Sequence, residues 1–199
     1  MCDPARTVLV NRTHPMFASV SLDEFTGMER AVRHLVDLGH QCIAYVRGPI
    51  HSWSGKRRKR AFLTACDRIG VRAETIGPFE ASYQGGSTAA DALSVKREIT
   101  AAMAFNDVIA SGLVARLERG INVPRDMSVI GVDDSLVARA MRPQLTSIDN
   151  RQRDIGEMAV RLLLAKIDHR IPESSIGQQP TLAGTLIIRG STGSAARNA

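Results

Sequence analysis

Short apolar runs without charge alternate along this chain with stretches whose apolar residues recur every three or four positions. Ala18–Leu22, Ile43–Val46, Ala101–Phe105 and Met127–Val132 are runs of the first kind. Such runs mark strands buried on both faces of a parallel sheet. Thr7–Val10, a weaker Glu74–Phe79, Pro143–Asp149 and Leu182–Ile188 add further predicted strands. Helical spacing appears at Phe25, Met28, Val32, Leu35 and Val36, closed by Gly39, and at Phe62, Ala65, Cys66 and Ile69, closed by Gly70. A residue free to take the left-handed conformation is wanted at such helix ends. Ser82–Leu93 is predicted helical despite Gly85 and Gly86. Val108, Ile109, Gly112, Leu113 and Leu117 form another helix, ended at Gly120, and Ile155, Met158, Ala159, Leu162, Leu163 and Ile167 give the cleanest one. Pro172–Pro180 reads as a loop, and Gly190 onward as a disordered Ser/Gly/Ala tail. No internal repeat is present. Strand and helix in alternation predict an α/β fold with a parallel sheet.

Several of these strands end on polar residues, and in open α/β sheets ligands sit in the crevice beyond the carboxyl ends of the strands. Met127–Val132 breaks off at Asp133 and Asp134, Ala101–Phe105 at Asn106, and Ala18–Leu22 at Asp23. Each has a second reading as a helix cap. Asp134 is read as a cap and Asp133 as crevice-facing, while Asn106 could serve both purposes. The run His51–Arg60 holds five cations where a helix starts, with Ser54 expected as the N-cap. Lys56, Arg57, Lys59 and Arg60 read as a solvated basic face. Four positions back from Phe62 is Arg58, which places Arg58 on the sheet-facing stripe. Gly48 to Lys56 is not a Walker A loop: the glycines are too far apart, and Arg57 stands where Ser or Thr belongs.

Composition narrows the chemistry. The 199 residues suffice for one large domain or two small lobes, and 23% charged is ordinary for a globular protein. Aromatic residues make up 4%, too few for a single-strand stacking platform, and the +6 charge suggests an anionic neighbour. Cys2, Cys42 and Cys66 lack metal-ligand spacing and read as reduced thiols of a cytosolic protein. Cys66, on an apolar helix face, reads as inert packing. His14, His34, His40, His51 and His169 show no metal spacing. No signal peptide or membrane-spanning run is visible. Asp23, Ser54, Arg58, Asn106, Asp133 and Asn150, with Phe79 as an apolar wall, suit hydrogen bonding to a polyol or sugar better than catalysis.

In chain order, a series of motifs resembles the effector-binding core of LacI/GalR-type transcriptional regulators. They are Leu22-Asp23 with Gly27; His34-Leu35 with Leu38-Gly39-His40; Trp53-Ser54 with Arg58 and Phe62; and Phe105-Asn106-Asp107. Val123–Asp134, Pro143 with Leu145–Ile148, Gly156 with Leu163, and Leu186–Ser191 continue the series. The resemblance implies a periplasmic-binding-protein-like fold: parallel-sheet lobes with helices on both faces, hinged around a small-molecule cleft. Residues 1–40 and 149–175 would form a truncated N-terminal lobe, 41–148 and 176–190 a complete C-terminal lobe, and 191–199 a tail. By position it implies that Arg58, Asn106 and Asp133 hydrogen-bond the effector, that Phe79 packs on it and that Ser54 and Asn150 line the cleft. Asp23 is a weaker transfer. Ala61 replaces a usual Gly, and Val132 a frequent aromatic, so the ligand itself is not inherited.

The resemblance also implies a cytoplasmic, dimeric regulator without cofactor or membrane partner, in which effector binding biases DNA binding. Nothing in the chain matches the family's helix-turn-helix and hinge helix, so a fragment or truncated version is expected. Alone, it is expected neither to bind operator DNA nor to hold its ligand at full affinity. Rival readings are a periplasmic sugar receptor, which needs a secretion signal, and an α/β enzyme using Asp133 and Asp134.

Overall fold

The computed structural model describes residues 3–168 and 180–195. Two sheets organise the chain. The larger has the order β4-β3-β5-β6-β7-β9. Its strands are β3 (Cys42–Val46), β4 (Arg72–Ile76), β5 (Ala101–Ala104), β6 (Ser128–Val132), β7 (Thr146–Asp149) and β9 (Thr185–Ile187). All neighbours pair in parallel except β7 with β9. The smaller sheet joins β1 (Val8–Val10), β2 (Ala18–Asp23) and β8 (Thr181–Ala183), all parallel.

The charge-free runs are explained by helices on both faces of the larger sheet. Ile43, Tyr45, Met103 and Ile130 point toward α1 (Glu24–Asp37) and α2 (Trp53–Ile69), meeting Met28, Leu35, Phe62 and Cys66. Cys42, Ala44, Val46, Ala102 and Val129 point the other way, against Leu93 of α3 (Tyr83–Ser94) and Ile109 and Leu113 of α4 (Asp107–Leu117). Successive strand residues face opposite sides, so both parities must be apolar. The short α5 (Leu136–Ala140) follows β6, and α6 (Gln152–Ile167) covers the small sheet through Ile155 and Ala159. Gly70 closes α2 in the left-handed conformation, at φ +80, as the spacing predicted.

Several expected boundaries move. The chain leaves the small sheet at Asp23, not after His40, because the apolar stripe of α1 is buried on the larger sheet. The last strand is two: β8 pairs in the small sheet and β9 in the large one. Gly184 lies between them, where a Cβ would come within 3.0 Å of Ile148 and 3.4 Å of the Gly27 backbone. The chain thus crosses between sheets at Asp23, Asn150 and Gly184. Ser52, not Ser54, caps α2, its hydroxyl accepting from the Gly55 N–H. The predicted loop from Pro172 lies outside the described residues, except Pro180, as do Cys2 and His169.

Residues 191–195, expected in a disordered tail, are instead stitched to the large sheet. The buried Ser191 hydroxyl donates to the Val129 carbonyl at 2.6 Å and accepts from the Thr146 N–H at 2.8 Å. His40, also buried, holds Gly193: Nε2 lies 3.1 Å from its carbonyl, and Nδ1 lies 2.8 Å from the Thr100 hydroxyl. Backbone and hydroxyl hydrogen bonds carry no hydrophobic period, which is why the small residues misled.

Burial holds the His40 pKa below its ordinary value. A folded-state pKa below the unfolded one gives stability that is complete above the unfolded value and declines as pH falls beneath it. The urea midpoint should therefore fall on acidification below about 6.5, and His40→Gln should flatten that part of the profile. An identical pH slope in wild type and variant would refute the assignment.

Candidate functional site

Because β3 leads outward to β4 on one side and β5 to β6 on the other, the loops beyond β3 and β5 part at a topological switch point. Phe105 fills that crevice. A Cβ on Gly48, just after β3, would lie 2.4 Å from its ring, so only glycine lets the chain pass there.

Arg58 lies over this ring, its guanidinium carbon 5.2 Å from the centroid. Helical phase turns it inward with Phe62, and its side chain is 9% exposed. All three nitrogens are engaged: Nη1 donates to the Phe105 carbonyl at 2.7 Å, Nη2 to Asp133 Oδ1 at 3.2 Å and Nε to Glu24 Oε2 at 3.4 Å. Asn150 Nδ2 donates to the same Asp133 oxygen. Strand ends β5, β6 and β7 and helices α1 and α2 thereby meet at one guanidinium.

The electrostatics follow from burial. Burial raises the pKa of Glu24, and Arg58 and then Arg57 only partly pull it back. Asp133 is raised for the same reason, with Arg58 opposing. Burial also works against the charge on Arg58, but Glu24 and Asp133 outweigh it and its pKa rises.

Asp133 is presented by an unusual backbone. Its φ is +112, and that of Asp134 is +47. The first is a glycine-like region whose cost is about 1–3 kcal/mol and which persists where the surroundings over-determine it. Here they do. The Asp133 N–H donates to the Ile148 carbonyl at 2.9 Å and the Asp134 N–H to the Ser147 hydroxyl at 3.1 Å. The Asp134 carboxylate does not cap α5 as expected. It pairs with Arg189, just past β9, and with Arg139 at 2.7 Å. Beneath the turn, buried Asp107 accepts from the Ser147 hydroxyl at 2.6 Å and the Ser135 N–H at 2.7 Å. Gly131 leaves room for it, since a Cβ there would lie 2.2 Å from Asp107 Oδ1.

The other sequence-derived residues have different tasks, and Asp23 ends a strand of the smaller sheet. Asn106 caps α4 by accepting from the Ile109 N–H at 2.9 Å. Ser54 is one turn before Arg58, its hydroxyl 3.1 Å from that of Ser52. Phe79, half-buried, packs on the cluster that holds Val46 and Phe105. Asp23 caps α1, accepting from the Phe25 and Thr26 N–H groups at 3.0 and 3.2 Å. Glu24 escaped the sequence reading, although stepping back four from Met28 finds it just as Phe62 finds Arg58. Burial pushes the Cys66 thiol up to about 12, as an inert core thiol requires. Among the described residues, no three His, Cys, Asp or Glu side chains group to hold a metal ion. No described helix is long and apolar enough to cross a membrane.

Among the described residues, two α/β sheets joined by three chain crossings, with a polar cluster at the strand mouths, define a periplasmic-binding-protein-like fold. Comparison with known proteins agrees: residues 32–192 match the periplasmic binding protein-like domain. The transcriptional regulator MalR of Streptomyces coelicolor is 35% identical over 184 residues, 88% of this chain and 52% of that protein. A LacI transcriptional regulator structure from a Rhodococcus species superposes with TM-score 0.86 at 33% identity, covering 96% of this chain and 71% of that one. A LacI-family regulator from Arthrobacter, solved in complex with lactose, gives TM-score 0.82 at 29% identity, covering 93% and 70%. The chain belongs to the periplasmic-binding-protein-like family, in its LacI/GalR group of transcriptional regulators. It spans about half the length of the curated relatives it matches.

Proposed function

We propose that this chain is the ligand-sensing core of a LacI/GalR-type regulator and takes a sugar or related small polar molecule between its two sheets. The observation that carries this reading is the hydrogen-bonded cluster of Arg58, Asp133 and Asn150 at the switch point, beside the crossings at Asp23 and Asn150. Arg58, Asn106, Asp133 and Asn150 would hydrogen-bond the ligand, with Phe79 as an apolar wall, Ser54 lining the cleft and Asp23 bordering it. The lactose complex of the Arthrobacter relative supports the ligand class. In this reading the chain is not an enzyme: Asp133 and Asp134 are both engaged by arginines rather than poised as acid and base. The intact regulator would work in the cytoplasm as a homodimer and reach operator DNA through a helix-turn-helix, with the ligand biasing the two lobes.

Titrating the chain with a panel of pentoses, hexoses and disaccharides should perturb the Asn150 side-chain amide resonances at millimolar concentration. Asp133→Asn should abolish the response. If no member of the panel moves them, the reading fails.

A further inference from the structure

We infer that Glu24 determines ligand specificity at this site, restricting it to uncharged or amine-bearing polyols and excluding phosphorylated or carboxylated ones. The inference rests on the sugar-sensing reading and names the charge class of its ligand.

Glu24 is not needed to start its helix. Asp23 is the N-cap of α1, and its second oxygen also accepts from the Thr26 hydroxyl at 2.5 Å. The Glu24 side chain is only 12% exposed. It is buried against Arg58, a residue of another helix, and reaches Nε at 3.4 Å, long for a charge-assisted hydrogen bond. A buried carboxylate so weakly satisfied still has acceptor capacity to fill.

A second acceptor at the cluster is in the same condition. Asn150 is 4% exposed, and among the described residues no group donates to its buried Oδ1. The charge that would greet an anion is meanwhile matched, Arg58 already facing the carboxylates of Glu24 and Asp133. Nearby Arg57 turns to the Leu22 carbonyl at 3.1 Å. The site thus offers under-used acceptors and a cation already balanced by two carboxylates. Hydroxyls and ammonium groups satisfy such a site, whereas a phosphate or carboxylate would meet Glu24 and Asp133 with like charge.

The test uses the full chain with glucose, glucosamine, glucose 6-phosphate and glucuronate, reading Asn150 and Arg58 side-chain resonances. Glucose or glucosamine should shift them at concentrations where the two anions do not, by at least tenfold in apparent Kd. Glu24→Gln should narrow that gap at least fivefold. A wild-type response to the anions equal to that of glucose overturns the inference while leaving the sensing reading intact. An unchanged gap in Glu24→Gln overturns the role of Glu24. Silence toward all four and toward the pentoses, hexoses and disaccharides of the panel removes the sensing reading itself, and the inference with it.

Discussion

Arg58→Ala should be the most damaging single change in this protein, lowering stability by about 3–5 kcal/mol, the usual cost of leaving buried charge without its partner. Glu24 and Asp133 side chains, 12% and 26% exposed, would lose their shared cation together. The Phe105 carbonyl would lose its donor as well. For a chain of this length the loss corresponds to a fall in Tm of about 10 °C or more. The damage should depend on pH in a defined sense. Both carboxylates already sit above their ordinary pKa through burial, and without Arg58 the main opposition to that rise is gone, leaving only Arg57 for Glu24 and the Asn150 hydrogen bond for Asp133. A folded pKa above the unfolded one gives stability that is present at low pH and lost as pH climbs through the folded value. The deficit of the variant should therefore shrink between neutrality and about pH 5. Thermal melts of both proteins across that range check the claim, and a deficit independent of pH would contradict it.

The second large effect is at the crossing of α3 and α4. Gly112→Ala would set a Cβ 1.8 Å from the Tyr83 carbonyl oxygen, and Gly86→Ala would set one 2.0 Å from that of Ile109. Two backbones this close cannot both hold their places once a methyl intervenes. Alanine favours a helix over glycine by about 1 kcal/mol, but overpacking costs about 1–3 kcal/mol and occasionally more. At Gly112 the obstruction is backbone on both sides, so overpacking wins. Gly156 is the contrast: it lies within α6 with nothing inside 4 Å of its would-be Cβ. Gly156→Ala should gain about 0.5–1 kcal/mol. Urea midpoints of the two variants should move in opposite directions; movement in the same direction would mean that close helix contact is not the reason for Gly112.

These glycines also show where sequence reasoning loses its grip. Gly85 and Gly86 weaken the helical pattern of 82–93 because propensity is local, whereas Gly86 makes room for Ile109 and Leu113 of a helix some 25 positions away and Gly85 for the Glu80 carbonyl just before its own helix. The same limit separates Asp133 from Asp134. Both are legible as polar strand ends, but which one caps, faces the crevice or pairs is set by backbone angles and by Arg189, 55 positions on. Arg58 could be placed on the buried stripe from Phe62 alone. Glu24 was equally within reach from Met28, by the same step of four positions.

Periodicity alone determined the α/β class, the doubly covered parallel strands, most helix ends and the sheet edge where the polar groups gather. Those properties depend on burial parity and local backbone preference, which a chain writes into neighbouring positions. Tertiary structure alone decided that α1 packs on the larger sheet and that the last strand divides at Gly184 between two sheets. It also decided that Ser191 and Gly193 are stitched down and that Glu24 shares Arg58 with Asp133. Each of these is a choice of partner between distant residues, made by which sheet an apolar stripe covers or by hydrogen bonds and charge, and no local pattern encodes it.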